Sequence, residues 1–142
     1  RPMAEVILLD TGPLVALLDK DEEHYGWATN RMRGLTPPLM VCEAALTETC
    51  FLLKSHARAR LQMRLWIQSG FVRHVPLDEA AILRALALME RYANVPMSFA
   101  DACLVALAES TPGARLFTLD RDFLIYRQHD DKPLTLLAPF AQ

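Results

Sequence analysis

Cysteine is scarce in this chain, and the little there is forms no pattern. Cys42, Cys50 and Cys103 make no CxxC pair and are not interleaved with histidine, which argues against a disulfide framework and a thiolate zinc site. Each has apolar neighbours in sequence, so each is expected to pack as a small buried hydrophobe. The four histidines, at 24, 56, 74 and 129, also lack zinc-ligand spacing. No apolar run approaches the roughly 18 residues that span a bilayer. The N-terminus lacks the zones of a signal peptide, so no membrane partner is expected and cytoplasmic residence is. Arg1 and Pro2 precede the first methionine and read as residues left over from cloning. A basic surplus is missing too: the net charge is −2, which speaks against strong nonspecific affinity for nucleic acid. Arg nevertheless outnumbers Lys twelve to three, and Arg is the better bidentate phosphate partner.

What the chain does have is apolar bulk. With 142 residues, 52% of them hydrophobic and 23% charged, it is expected to form one compact domain over 1–142. Residues 4–10 read as a buried strand, and Thr11-Gly12-Pro13 as the turn into a helix that continues over 14–19. Further helices are expected over 24–33, 43–55, 57–69, 79–92, 98–109 and, briefly, 121–127. Strands are expected over 39–42, 71–76, 115–119 and 134–137. The helix over 79–92 carries Ile82, Leu83, Leu86 and Met89 on one face, expected to turn inward. The helix over 98–109 is apolar almost all round, hence buried. Strands alternating with helices, and few hairpin signals, predict an α/β fold with a mostly parallel central sheet flanked by helices on both faces.

Four acids interrupt this apolar pattern. Asp10 closes Val6-Ile7-Leu8-Leu9, and Asp120 closes Leu116-Phe117-Thr118-Leu119. Glu48 shares a helical face with Ala44, Ala45, Phe51 and Leu52, the face expected to point inward. Asp101 lies early in the most apolar helix. An unpaired buried carboxylate costs several kcal/mol, roughly, unless a cation or hydrogen bonds compensate it. Each acid also has a capping explanation. Asp10 precedes Thr-Gly-Pro, Ser98-Phe99-Ala100-Asp101 fits a capping box, and Asp120 precedes a short helix. Taken together, strand-end acids and inward helical acids can converge at the carboxyl edge of the sheet, where open α/β sheets bind ligands. Crowded carboxylates raise one another's pKa unless a cation neutralises them, and all-oxygen ligation suits Mg²⁺ or Mn²⁺. Thr118 and Asp122 stand in support of Asp120, and Ser98 of Asp101. Glu43 is assigned mainly to the dipole of its helix.

Leu8-Leu9-Asp10-Thr11-Gly12-Pro13-Leu14, Leu46-Thr47-Glu48-Thr49-Cys50-Phe51-Leu52-Leu53, Phe99-Ala100-Asp101-Ala102-Cys103-Leu104 and Phe117-Thr118-Leu119-Asp120-Arg121-Asp122-Phe123 together resemble a PIN-domain ribonuclease. The likeness runs from Val6 to the final strand and is nearest to the VapC-type toxins of toxin–antitoxin pairs. It implies a PIN fold and metal-dependent hydrolysis of single-stranded RNA. Asp10, Glu48, Asp101 and Asp120 would be the catalytic acids, with Mg²⁺ or Mn²⁺ on Asp10, Asp101 and Asp120. Thr11 would be a supporting residue. Lys54, Arg58, Arg60, Arg64 and Arg121 are the candidates for RNA contact, although a helix face of basic residues is more often simply solvated. The resemblance further implies a homodimer through helical surfaces. A groove between the first helices, near Leu14, Val15, Leu17, Leu18 and Trp27, would take an antitoxin helix. Two other readings share part of this pattern: an inactive PIN scaffold or non-toxic RNA-processing PIN nuclease, and a haloacid-dehalogenase-like phosphatase. The phosphatase needs a second Asp where Gly12 stands. An aspartic protease, suggested by Asp10-Thr11-Gly12, would be mostly β rather than mostly helical.

Overall fold

The computed structural model describes residues 5–141; Arg1, Pro2 and Ala4 lie outside them. Five strands form one sheet in the order β3-β2-β1-β4-β5. They are β1 (Val6–Leu9), β2 (Leu39–Val41), β3 (Val72–His74), β4 (Ala114–Phe117) and β5 (Leu136–Leu137). Each neighbouring pair is parallel. The six α-helices are α1 (Thr11–Leu18), α2 (Tyr25–Arg33), α3 (Glu43–Leu52), α4 (Ala57–Ser69), α5 (Glu79–Arg91) and α6 (Phe99–Ser110). Helices connect β1 to β2, β2 to β3 and β3 to β4, as the α/β reading expects.

The central strands are buried on both faces because Ile7, Leu8, Leu9, Leu116 and Phe117 contribute apolar side chains to each. α6 is enclosed from Ala102 to Ala108. The register is exact at the point that matters for function: Leu9 pairs with Phe117, so Asp10 and Thr118, one residue on, leave the sheet side by side. Gly12 lets the first turn of α1 close onto the same edge. A Cβ there would lie 3.3 Å from Leu119 Cβ, tighter than ordinary packing.

Several expectations need correction. α3 ends at Leu52 rather than Ser55, and the short helix after Asp120 is a single 3₁₀ turn, Arg121–Leu124. The face of α3 assigned to the core is wrong in part, because Ala45 and Thr49 are buried while Phe51 is 66% exposed. On α5 the inward residues are Ala85 and Leu88, and Leu83 is 60% exposed. α5 packs on α6, with Ala85 and Leu88 fully buried and Leu83 and Leu86 exposed; the distance between two packed helices depends on the side chains at their contact, which the hydrophobic periodicity of one helix does not specify. Cys42 and Cys103 are buried as expected, but Cys50 is exposed. Burial pushes the Cys103 thiol up to about 12 and raises that of Cys42, so both are neutral packing groups. Among the described residues no helix is long and apolar enough to cross a membrane.

Candidate active site

Asp10 sits at the end of β1, 5% exposed. Its backbone is extended and its Oδ1 accepts the Thr11 N–H at 2.8 Å, so the capping role is real. The other oxygen, Oδ2, accepts the Thr118 hydroxyl at 2.7 Å. Two hydrogen bonds do not offset the loss of water. Burial lifts the Asp10 carboxyl from 3.8 to about 7, with Asp101 and Asp120 adding repulsion, against the lowering effect of Thr118 and Thr11.

Asp101 enters from the first turn of α6. Ser98 caps that helix, its Oγ accepting the Asp101 N–H at 3.0 Å. Burial lifts the Asp101 carboxyl to about 6, and the charge on Asp120 pushes in the same direction. Its Oδ2 accepts the hydroxyl of Tyr126 at 3.2 Å, a residue the sequence reading did not single out. Nothing local flags it; Tyr126 lies 25 residues from Asp101 and reads as one more aromatic of the core.

Asp120 is the most open of the acids. Its Oδ1 accepts the Asp122 N–H at 2.9 Å, and its own N–H donates to Thr118 Oγ1 at 3.0 Å. Thr118 thus ties Asp10 to Asp120 through one hydroxyl, and Asp122 acts through its backbone. Glu48 is half-buried, and its Oε1 accepts the Thr11 hydroxyl at 2.9 Å, so Thr11 is the link from Glu48 to Asp10. Glu43 stands apart. It is exposed in the first turn of α3 and its Oε1 lies 3.1 Å from His74 Nε2. A cavity of about 500 Å³ lies between α3, α5 and α6 beside Glu48, walled by Ala44, Leu77, Ile82 and Phe99.

The structure therefore brings Asp10, Asp101 and Asp120 within electrostatic reach of one another, with Glu48 joined through Thr11. It does not close them into a direct chelate: among the described residues no group of three or more His, Cys, Asp or Glu side chains could hold one metal ion directly. This donor set is all oxygen and carries surplus negative charge, with Asp10 buried, Asp101 partly buried and Asp120 open to solvent. Such a site suits a hard cation that retains several waters and touches one or two carboxylates, the habit of Mg²⁺, and not a thiolate-bound zinc.

The basic residues are scattered. Arg58, Arg60 and Arg64 are exposed on α4. Arg60 Nη1 donates to the Lys54 carbonyl at 2.7 Å, and Lys54 Nζ sits 4.6 Å from the Phe51 ring centre. Arg58 lines a cavity of about 420 Å³ shared with Leu17, Leu18, Tyr25, His56 and Trp66, between α1, α2 and α4. Arg121, beside Asp120 in the chain, lies over the Phe140 ring at 5.0 Å. Of the residues near the first helices, Leu14 and Leu17 belong to the core, and Trp27 meets Phe117 edge-on at 5.6 Å.

Comparison with solved structures places this architecture. The chain is similar to VapC20 of Mycobacterium tuberculosis, described as a sarcin-ricin loop cleaving toxin, with 23% identity, a TM-score of 0.74 and coverage of 82% of this chain and 91% of that one. It is also similar to a toxin–antitoxin complex from Klebsiella pneumoniae (17% identity, TM-score 0.67, coverage 96% and 99%). A DNA-bound VapBC from Salmonella typhimurium matches at 14% identity and a TM-score of 0.65, with coverage of 95% and 98%. At these identities the likeness is one of fold. No match was found among curated proteins. The sequence model of the PIN domain, however, matches residues 7–128. That span takes in β1 through the turn after Asp120 and all four acids, and the chain belongs to the PIN domain family.

Proposed function

We propose that this single-domain chain is a divalent-metal-dependent endoribonuclease that cleaves single-stranded regions of RNA, and that it is the toxin of a toxin–antitoxin pair. The observation that carries the reading is the placement of Asp10: a carboxylate almost without solvent, facing Asp101 and Asp120, at the carboxyl edge of a PIN-family sheet. A group so placed is costly to ionise unless a cation joins it, and a divalent cation there would serve phosphodiester hydrolysis by polarising the phosphate and acidifying a water. Asp10, Asp101 and Asp120 would hold Mg²⁺ or Mn²⁺. Bound there, the ion supplies positive charge to a phosphate oxygen and acidifies water. Thr118 and Thr11 orient the carboxylates of Asp10 and Glu48. Glu48, half-buried and tied to Thr11, would orient the attacking water or hold a second metal ion. Arg121 is the basic residue best placed for the RNA chain, with Lys54, Arg58, Arg60 and Arg64 as a more distant track.

The solved relatives that are toxin–antitoxin complexes support an antitoxin partner. The cavity between α1, α2 and α4 is the surface for its helix, and a basic antitoxin side chain entering the acidic cluster would displace the metal. A homodimer would cover the exposed apolar residues of α3 and α5, since patches of this kind mark interfaces. All of these partners meet in the cytoplasm.

The test is cleavage of a structured RNA pool with Mn²⁺ or Mg²⁺, wild type beside Asp101→Asn. Metal-dependent cutting that the variant loses supports the nuclease. No cutting by either protein, or equal cutting by both, would sink it in favour of an inactive scaffold. A nuclease that leaves growth unaffected when expressed without a partner would be an RNA-processing enzyme and not a toxin.

A further inference from the structure

We infer that Tyr126 is a positioning residue of the acidic site: its phenol holds the Asp101 carboxylate in the orientation that receives the cation. The inference rests on the metal-dependent reading above and adds to it a residue outside the four acids. Tyr126 follows the 3₁₀ turn that begins beside Asp120, and its side chain is fully buried. The ring has no freedom to swing. It meets Tyr92 at 5.1 Å and Phe123 at 5.2 Å between ring centres, both edge-on. The hydroxyl at its end reaches Asp101 Oδ2 at 3.2 Å. A phenol is an O–H at neutral pH, and with the carboxylate as acceptor it serves as the donor of this bond.

The need for such a donor follows from the electrostatics. Asp101 and Asp120 repel one another, and each is carried by a different element, α6 and the segment after β4. Tyr126 belongs to that same segment yet bonds to Asp101, so it couples the two acids across the gap. Asp10 has Thr118 in this role and Glu48 has Thr11. Asp101 has Tyr126. Groups that orient a metal-binding carboxylate without touching the metal commonly change metal affinity by about 10–100-fold when removed.

Tyr126→Phe keeps the ring packing and deletes the donor. Tyr92→Phe is the control, since its hydroxyl accepts the Arg127 N–H at 2.9 Å and is equally part of the aromatic cluster but not of the site. Titration calorimetry with Mn²⁺ should show wild type and Tyr92→Phe binding alike and Tyr126→Phe binding about tenfold more weakly. RNA cleavage by Tyr126→Phe should recover as Mn²⁺ is raised. In wild type, Mg²⁺ should produce a tyrosine ultraviolet difference spectrum that persists in Tyr92→Phe and vanishes in Tyr126→Phe; this readout does not depend on either variant being active. Equal Mn²⁺ affinity in wild type and Tyr126→Phe, or equal weakening in both variants, overturns the role of Tyr126 while leaving the metal reading intact. A wild type that binds no Mn²⁺ overturns both.

Discussion

Replacing Asp10 with Asn should stabilise the metal-free protein at alkaline pH and destabilise it slightly in acid. Asp10 is buried, and its carboxyl is lifted from 3.8 to about 7. That rise corresponds to about 4 kcal/mol between the two protonation states, at 1.36 kcal/mol for each pKa unit. A carboxyl with a raised folded-state pKa stabilises most when protonated. Its contribution is complete below the unfolded value of 3.8 and is lost as pH rises through about 7. Asp101, lifted to about 6, acts in the same direction over a lower window. Wild type freed of metal should therefore lose stability steadily between about pH 4 and pH 7. Asn at position 10 removes that loss. Its Oδ1 still caps the Thr11 N–H, but its Nδ2 now faces Thr118 Oγ1, which already accepts from Asp120 N–H. The Thr118 proton loses its acceptor, at a cost of about 1 kcal/mol. The net expectation is a gain of about 2–3 kcal/mol at about pH 8 and a loss of about 1 kcal/mol near pH 4. Urea denaturation in chelator at both pH values measures it, and added Mg²⁺ should narrow the alkaline gap by stabilising wild type alone. If Asp10→Asn is less stable than wild type at about pH 8 in chelator, Asp10 is a structural cap whose charge is adequately compensated, and the argument for a cation fails with it.

Thr118→Val removes the hydroxyl that serves both Asp10 Oδ2 and the Asp120 N–H while keeping the buried shape. It should cost about 2 kcal/mol by urea denaturation near neutral pH. A loss below about 0.5 kcal/mol would mean that water replaces the hydroxyl at no net cost. Leu83→Glu, on the exposed stripe of α5, should leave the unfolding free energy within about 0.5 kcal/mol per chain once dissociated and convert a dimer to monomer in analytical ultracentrifugation. A dimer that survives this change does not use α5.

Much of the fold was legible along the chain because its signals are local. The apolar run 6–9 ends at Asp10 and the stretch 116–119 at Asp120, Gly70 follows α4 at φ +82°, and Asp78 and Ser98 cap the helices they precede. The positions of Asp10, Glu48, Asp101 and Asp120 relative to these elements were equally plain. Which side of a helix is buried was not. On α3 and α5 the apolar residues go more than halfway round, so periodicity alone does not choose the buried side, and Phe51 and Leu83 lie exposed.

Sequence alone therefore determined the order of strands and helices, the acids and their helix caps, since each depends on neighbours within a few positions. Only the tertiary structure decided that the Leu9–Phe117 register sets Thr118 against Asp10. It alone buried Ala85 and left Leu83 outside. It also carried Tyr126 to Asp101, across 25 positions of chain. These pairings depend on how closely two backbones approach and on what remains to solvate a buried charge, and both are properties of the packed chain.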